Sequence, residues 1–119
     1  MEVLDQCFCF IAPSCSEGIS PAVVTCLQGG LLPILSRDVG VTLSADCGVT
    51  LESCDVDTLR KTVLSCFALP DEAVERQICA THDLGMKAFS RESFSRAMEA
   101  ALRASLSLEP AGDDGYWKD

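Results

Sequence analysis

The chain has 119 residues, 48% of them hydrophobic, which is enough for the core of one small domain. Eighteen acidic residues against nine basic ones give a net charge of -9, which argues against nucleic acid or an anionic membrane surface as a partner. No apolar run approaches the roughly 20 residues of a spanning helix, so no transmembrane segment is expected.

The N-terminus, Met1 to Gln6, lacks the basic region of a secretory signal. A chain that begins almost on top of an apolar run is expected to be the C-terminal piece of a longer, cytoplasmic protein. That run, Cys7 to Ala12, has the length and composition of a buried parallel strand. Pro13 stops it, and a small polar loop follows, Ser14-Cys15-Ser16-Glu17-Gly18. A helix starts near Pro21, where a proline costs only an N–H that has no partner in the first turn. Gly29-Gly30 closes the helix, and Leu31 to Leu35 reads as a second buried strand.

The result is a strand–loop–helix–strand unit of a parallel α/β sheet. Ligands of such sheets sit beyond the carboxyl ends of strands, here the loop Ser14 to Ser20. Backbone N–H groups from Ile19 to Val23 would face an anion at the helix N-terminus. Gly18 leaves room for close approach to the backbone. The same residues also have a plain reading: Ser16 or Ser20 as helix cap and Glu17 as a solvated acid.

Further along, Arg37 to Gly40 makes a polar turn, Val41 to Ser44 a short extended piece, and Ala45 to Gly48 another turn before a third strand over Gly48 to Leu51. Asp55 or Asp57 starts a helix whose Leu59, Val63, Cys66 and Phe67 form one apolar stripe. Pro70 with Asp71 and Glu72 opens the next helix. Val74, Ile78 and Thr81 line its inner face, and Gly85 weakens its end. Ser90 caps a last helix with Phe94, Met98, Ala101 and Leu102 on one stripe, and with i, i+4 pairs Glu92/Arg96 and Glu99/Arg103. Residues 107–119 read as an acidic, disordered tail, in which Tyr116 and Trp117 are the only bulky aromatic groups.

Eight cysteines without a C-x-x-C pair, and an isolated His82, fit neither a disulfide framework nor a metal site. The cysteines read as small buried hydrophobes in a reducing compartment, and His82 as a surface or packing residue.

Pro13-Ser14, Glu17-Gly18, Gly29-Gly30 and Leu32-Pro33-Ile34-Leu35-Ser36 stand in a characteristic order. They resemble the signature stretch of the C-terminal domain of retaining GT-B glycosyltransferases of the group 1, or family 4, type. The resemblance is strong over residues 11–40 and extends weakly over 4–106, through Gly48 to the segment Phe89-Ser90 to Phe94. It implies half of a GT-B fold: a three-layer, partial Rossmann-like α/β domain with about three parallel strands between helices, spanning 1–106. It further implies transfer of a sugar from a nucleotide sugar with retention and without a required metal or other cofactor.

In that family Glu17 would be the catalytic-site glutamate that orients the donor sugar, with Ser16, Gly18, Ile19 and Ser20 facing sugar and phosphate oxygens. Thr25 stands where the family has a second glutamate on the nucleotide ribose, so ribose binding is reduced to one uncharged contact. The family's basic diphosphate clamp and its acceptor domain lie upstream of this motif, and the first basic residue here is Arg37. This chain alone is therefore expected to be inactive, needing an N-terminal acceptor domain or a partner chain. The alternative is a non-catalytic binding domain that keeps the fold. A flavodoxin-like signalling module fits less well, lacking five strands and an acidic cluster after the first.

Overall fold

The computed structural model describes residues 3–106; the expected tail, with Tyr116 and Trp117, lies outside the described residues. The chain divides into two units, residues 1–89 and 90–119.

The first unit is an α/β domain built on a three-stranded parallel sheet in the order β1-β2-β3. Strand β1 is Cys9–Ala12, β2 Leu32–Leu35 and β3 Val49–Thr50. Helix α1, Pro21–Gln28, crosses from β1 to β2. Residues 36–48 link β2 to β3 through one 3-10 turn, Arg37–Val39. Helices α2, Val56–Phe67, and α3, Asp71–Ala88, follow.

The core lies on both faces of β2, which is why all four of its residues are buried. On one face Val23 and Leu27 of α1 pack with Leu35, Val39 and the partly buried Phe10 and Phe89. On the other, Cys66, Leu59 and Val63 of α2 pack with Leu32, Ile34 and Leu51. Helices thus cover both faces of the sheet, the three-layer arrangement of a partial Rossmann-like domain. Truncating Leu32, Ile34 or Leu35 to alanine would cost about 2–5 kcal/mol, because no solvent reaches these side chains.

Several expectations are corrected by long-range packing. The run from Cys7 is not a strand buried on both faces: β1 is an edge strand, and Ile11 is 43% exposed. Phe67 leaves the apolar stripe of α2, since eight residues on from Leu59 it has rotated about 80° from it. It is exposed and meets Phe8 edge-on, ring centroids 5.0 Å apart. Val41 to Ser44 forms no strand, although Val41 and Leu43 pack against the α1-side core. Gly85 does not weaken the end of α3, which runs on to Ala88; it is buried against Leu27 and Gln28, where a Cβ would come within 2.7 Å of the α1 backbone. Of the eight cysteines only Cys47 and Cys66 are buried, while Cys7, Cys15, Cys54 and Cys79 are exposed.

The second unit contributes helix α4, Arg91–Ser105, capped by Ser90, whose hydroxyl accepts from the Ser93 N–H at 3.0 Å. Both expected ion pairs form along it: Glu99 with Arg103 at 3.0 Å and Glu92 with Arg96 at 3.9 Å. Among the described residues no helix is long and apolar enough to cross a membrane.

Candidate functional site

Parallel strands deliver their following loops to one edge of the sheet, so three loops converge beyond the carboxyl ends of β1, β2 and β3. These are residues 13–20, 36–40 and 51–55. Ser36 is buried directly after β2, and its hydroxyl donates to the Ser14 carbonyl. The Glu17 N–H donates to the Asp38 carbonyl at 3.1 Å. Ile19 packs against Gly40, which has the left-handed backbone (φ 75°) and no side chain to displace it. The loop after β1 is thus held along its length by the turn after β2.

Within that loop the Ser14 hydroxyl donates to Glu17 Oε2 at 2.7 Å, holding the carboxylate near the strand end while Glu17 stays exposed. Gly18 faces open space: a Cβ there would meet nothing within 4 Å. Cys15, Ser16 and Ile19 are exposed as well.

Ser20, not Ser16, caps α1, its Oγ accepting from the Ala22 N–H at 3.3 Å. The expected row of free amides is shorter as a result. Pro21 has no N–H, Ala22 is engaged by the cap, and Val24 donates to the Ser20 carbonyl at 3.1 Å. Val23 is the first-turn amide that neither of these bonds uses. The Thr25 hydroxyl donates to the Pro21 carbonyl of its own helix at 2.9 Å, which leaves its oxygen as an acceptor only.

The third loop brings Cys54 and Asp55. Asp55 caps α2, accepting from the Thr58 N–H and hydroxyl, both at 2.8 Å. Hydrogen bonds from Ser53 and Thr58 hold its carboxyl well below the usual carboxylate range. Sequence reasoning placed Glu17 to Ser20 on one loop and Asp38 in the turn after the second strand, but missed the hydrogen bonds by which Ser36 and Asp38 hold that loop. Only the position of each just after a strand signals this.

Electrostatically the rim is acidic. Glu17, Asp38, Glu52 and Asp55 stand in these three loops against the single base Arg37. Among the described residues no group of three or more His, Cys, Asp or Glu side chains is placed to hold a metal ion. A shallow surface depression lined by Glu72, Glu75, Arg76 and Cys79 belongs to α3 and takes no residue from these loops. His82, on α3, donates a hydrogen bond from Nδ1–H to the Gln28 carbonyl at 2.7 Å, which closes the open end of α1.

Comparison with known protein families, curated proteins and solved structures finds no match for this chain.

Proposed function

We propose that the chain is the nucleotide-sugar-binding half of a retaining GT-B glycosyltransferase. One observation carries this reading. The loop holding the Glu17-Gly18 pair lies beyond the carboxyl end of β1 and runs straight into the N-terminus of α1. That is where open parallel sheets bind their ligands. Glu17, exposed and steadied by Ser14, would orient the donor sugar. Ser16, Gly18, Ile19, Ser20 and the Val23 amide would receive sugar and phosphate oxygens. Retention would follow from the geometry of donor and acceptor on the completed enzyme, in the cytoplasm, with an acceptor domain or partner chain supplying the rest of the cleft.

A second reading has its own support. The acidic rim and the single Arg37 disfavour a diphosphate, and the Thr25 hydroxyl, donated to its own helix, offers less to a ribose. They fit a binding domain that keeps the fold without the chemistry.

Isothermal titration of uridine, guanosine and adenosine diphosphate sugars separates the two. Binding that falls at least tenfold in Glu17→Ala supports the donor site. Equal binding with and without the Glu17 carboxylate would remove it.

A further inference from the structure

Strand β1 leaves one edge of the sheet open. Among the described residues it pairs with β2 alone. The Phe8 carbonyl accepts from the Leu32 N–H at 2.8 Å, and the Ala12 carbonyl from the Ser36 N–H at 3.0 Å. Even residues of this stretch therefore direct their backbone groups to β2. By the period of two, Cys9 and Ile11 direct theirs out of the sheet. Such edges are normally blunted by a charge, a proline or a bulge. Residues 7–12, CFCFIA, contain no Asp, Glu, Lys, Arg or Pro, in a chain of net charge -9.

We propose that this edge is an interface between two copies of the chain, β1 pairing antiparallel with its counterpart about a two-fold axis at Phe10. Self-complementarity is what favours a second copy. In this register Cys9 of each copy lies opposite Ile11 of the other, and each such pair exchanges two backbone hydrogen bonds. All the outward groups of both strands are then satisfied, and the two-fold closes the assembly at a dimer.

The side chains match as well. Cys9 packs on the α2 face of the sheet, and Ile11, two residues on, shares that face but is half exposed for want of a neighbouring strand. Phe10, only partly buried on the α1 face, would meet Phe10 of the other copy where antiparallel strands come closest. The exposed Phe67 ring, edge-on to Phe8, extends the apolar surface past the start of the strand. No charge opposes a charge over the paired residues. The surface offered is small, at or below about 1,200 Å² in total, so the association is reversible and in the micromolar range. The inference does not rest on the donor-binding reading, because it uses the side edge of the sheet and not the loops beyond its carboxyl ends.

Sedimentation of the full chain over a concentration series tests it, with amide hydrogen exchange read residue by residue. The expected result is a monomer of 12.7 kDa that passes to twice that mass in the micromolar range. The Cys9 and Ile11 amides should exchange about tenfold more slowly as the dimer fills. Ile11→Lys puts a charge on the edge, and Ile11→Pro removes an outward N–H while sparing the ladder to β2. Each should weaken association by about tenfold or more, with circular dichroism checking that the variant is folded. The exchange rates of the unaltered chain decide the matter if neither variant folds. A chain that stays monomeric up to about 200 µM overturns the proposal. So does growth beyond two copies, or a dimer that persists in folded Ile11→Lys. Protection of the Cys9 and Ile11 amides that is equal at every dilution also overturns it, since another segment of the same chain would then cover the edge.

Discussion

Gly48 lies so close to Pro33 that a Cβ at position 48 would sit 2.2 Å from the Pro33 carbonyl oxygen and 2.6 Å from its Cδ. This contact explains how a proline fits the central strand of a sheet. Leu51 donates to the Leu35 carbonyl, so the odd residues of β2 face β3, and the missing N–H of Pro33 points to that side. The ladder to β3 begins one residue later, at Ile34 opposite Val49. Gly48, at φ 78°, is the residue that passes over the ring.

Gly48→Ala is therefore expected to lose more than about 3 kcal/mol, the left-handed backbone adding about 1–2 to the clash with strand backbone. Urea unfolding followed by circular dichroism reads this directly. A loss under about 1 kcal/mol would show that the turn relaxes freely.

Gly85→Ala sets two effects against each other. Alanine in a helix gains about 1 kcal/mol over glycine, but this Cβ would come within 2.7 Å of the α1 backbone at Leu27 and Gln28. Overpacking against backbone costs about 1–3 kcal/mol or more, so a net loss is expected. Gly18→Ala is the control. With open space around it, the substitution should leave stability unchanged or raised by about 0.4–1 kcal/mol. If the loop binds a nucleotide sugar against its backbone, the same variant should lose affinity without losing stability.

Thr81 is fully buried, and its Oγ1 has no hydrogen-bond partner among the described residues. A buried hydroxyl left unpaired costs about 1–3 kcal/mol. Thr81→Val is expected to raise stability by about 1 kcal/mol, read as a higher urea midpoint at constant slope. A lower midpoint would mean that the hydroxyl is bonded after all.

Asp55 supplies a pH dependence whose sign is definite. Its carboxyl is lower in the folded chain than in the unfolded one, held there by Ser53 and Thr58. The cap's contribution is therefore complete above the ordinary carboxylate range. It is lost as pH falls through and below that range. Asp55→Ala should lower Tm by about 4–8 °C at pH 7, and this gap should shrink progressively in acid. A gap that stays constant from pH 7 to strongly acidic conditions would contradict the capping role.

Local chemistry in the chain was enough to specify the elements. The apolar run of β2, the proline at the start of α1, the cap at Ser90, the i, i+4 pairs of α4 and the two pairs of cap candidates, Ser16 or Ser20 and Asp55 or Asp57, are all short-range features. Each depends only on neighbours within a turn or a strand, so the α/β class and the parallel unit over residues 7–36 were legible in the chain itself.

Neighbour relations were not legible, because periodicity says which face is apolar but not what covers it. Ile11 is exposed because β1 lies at the edge of the sheet, and Phe67 because α2 turns it past the β-sheet it covers. Gly85 looked like a helix breaker until α1 was packed against it. The candidate site was half visible in the same sense. Glu17 to Ser20 are contiguous, whereas Ser36 and Asp38 join them only through the parallel sheet, which carries residues far apart in sequence to one edge. The chain alone determined what each segment is; which segments meet was decided by the burial of β2 on both faces, which forces the loops of all three strands together.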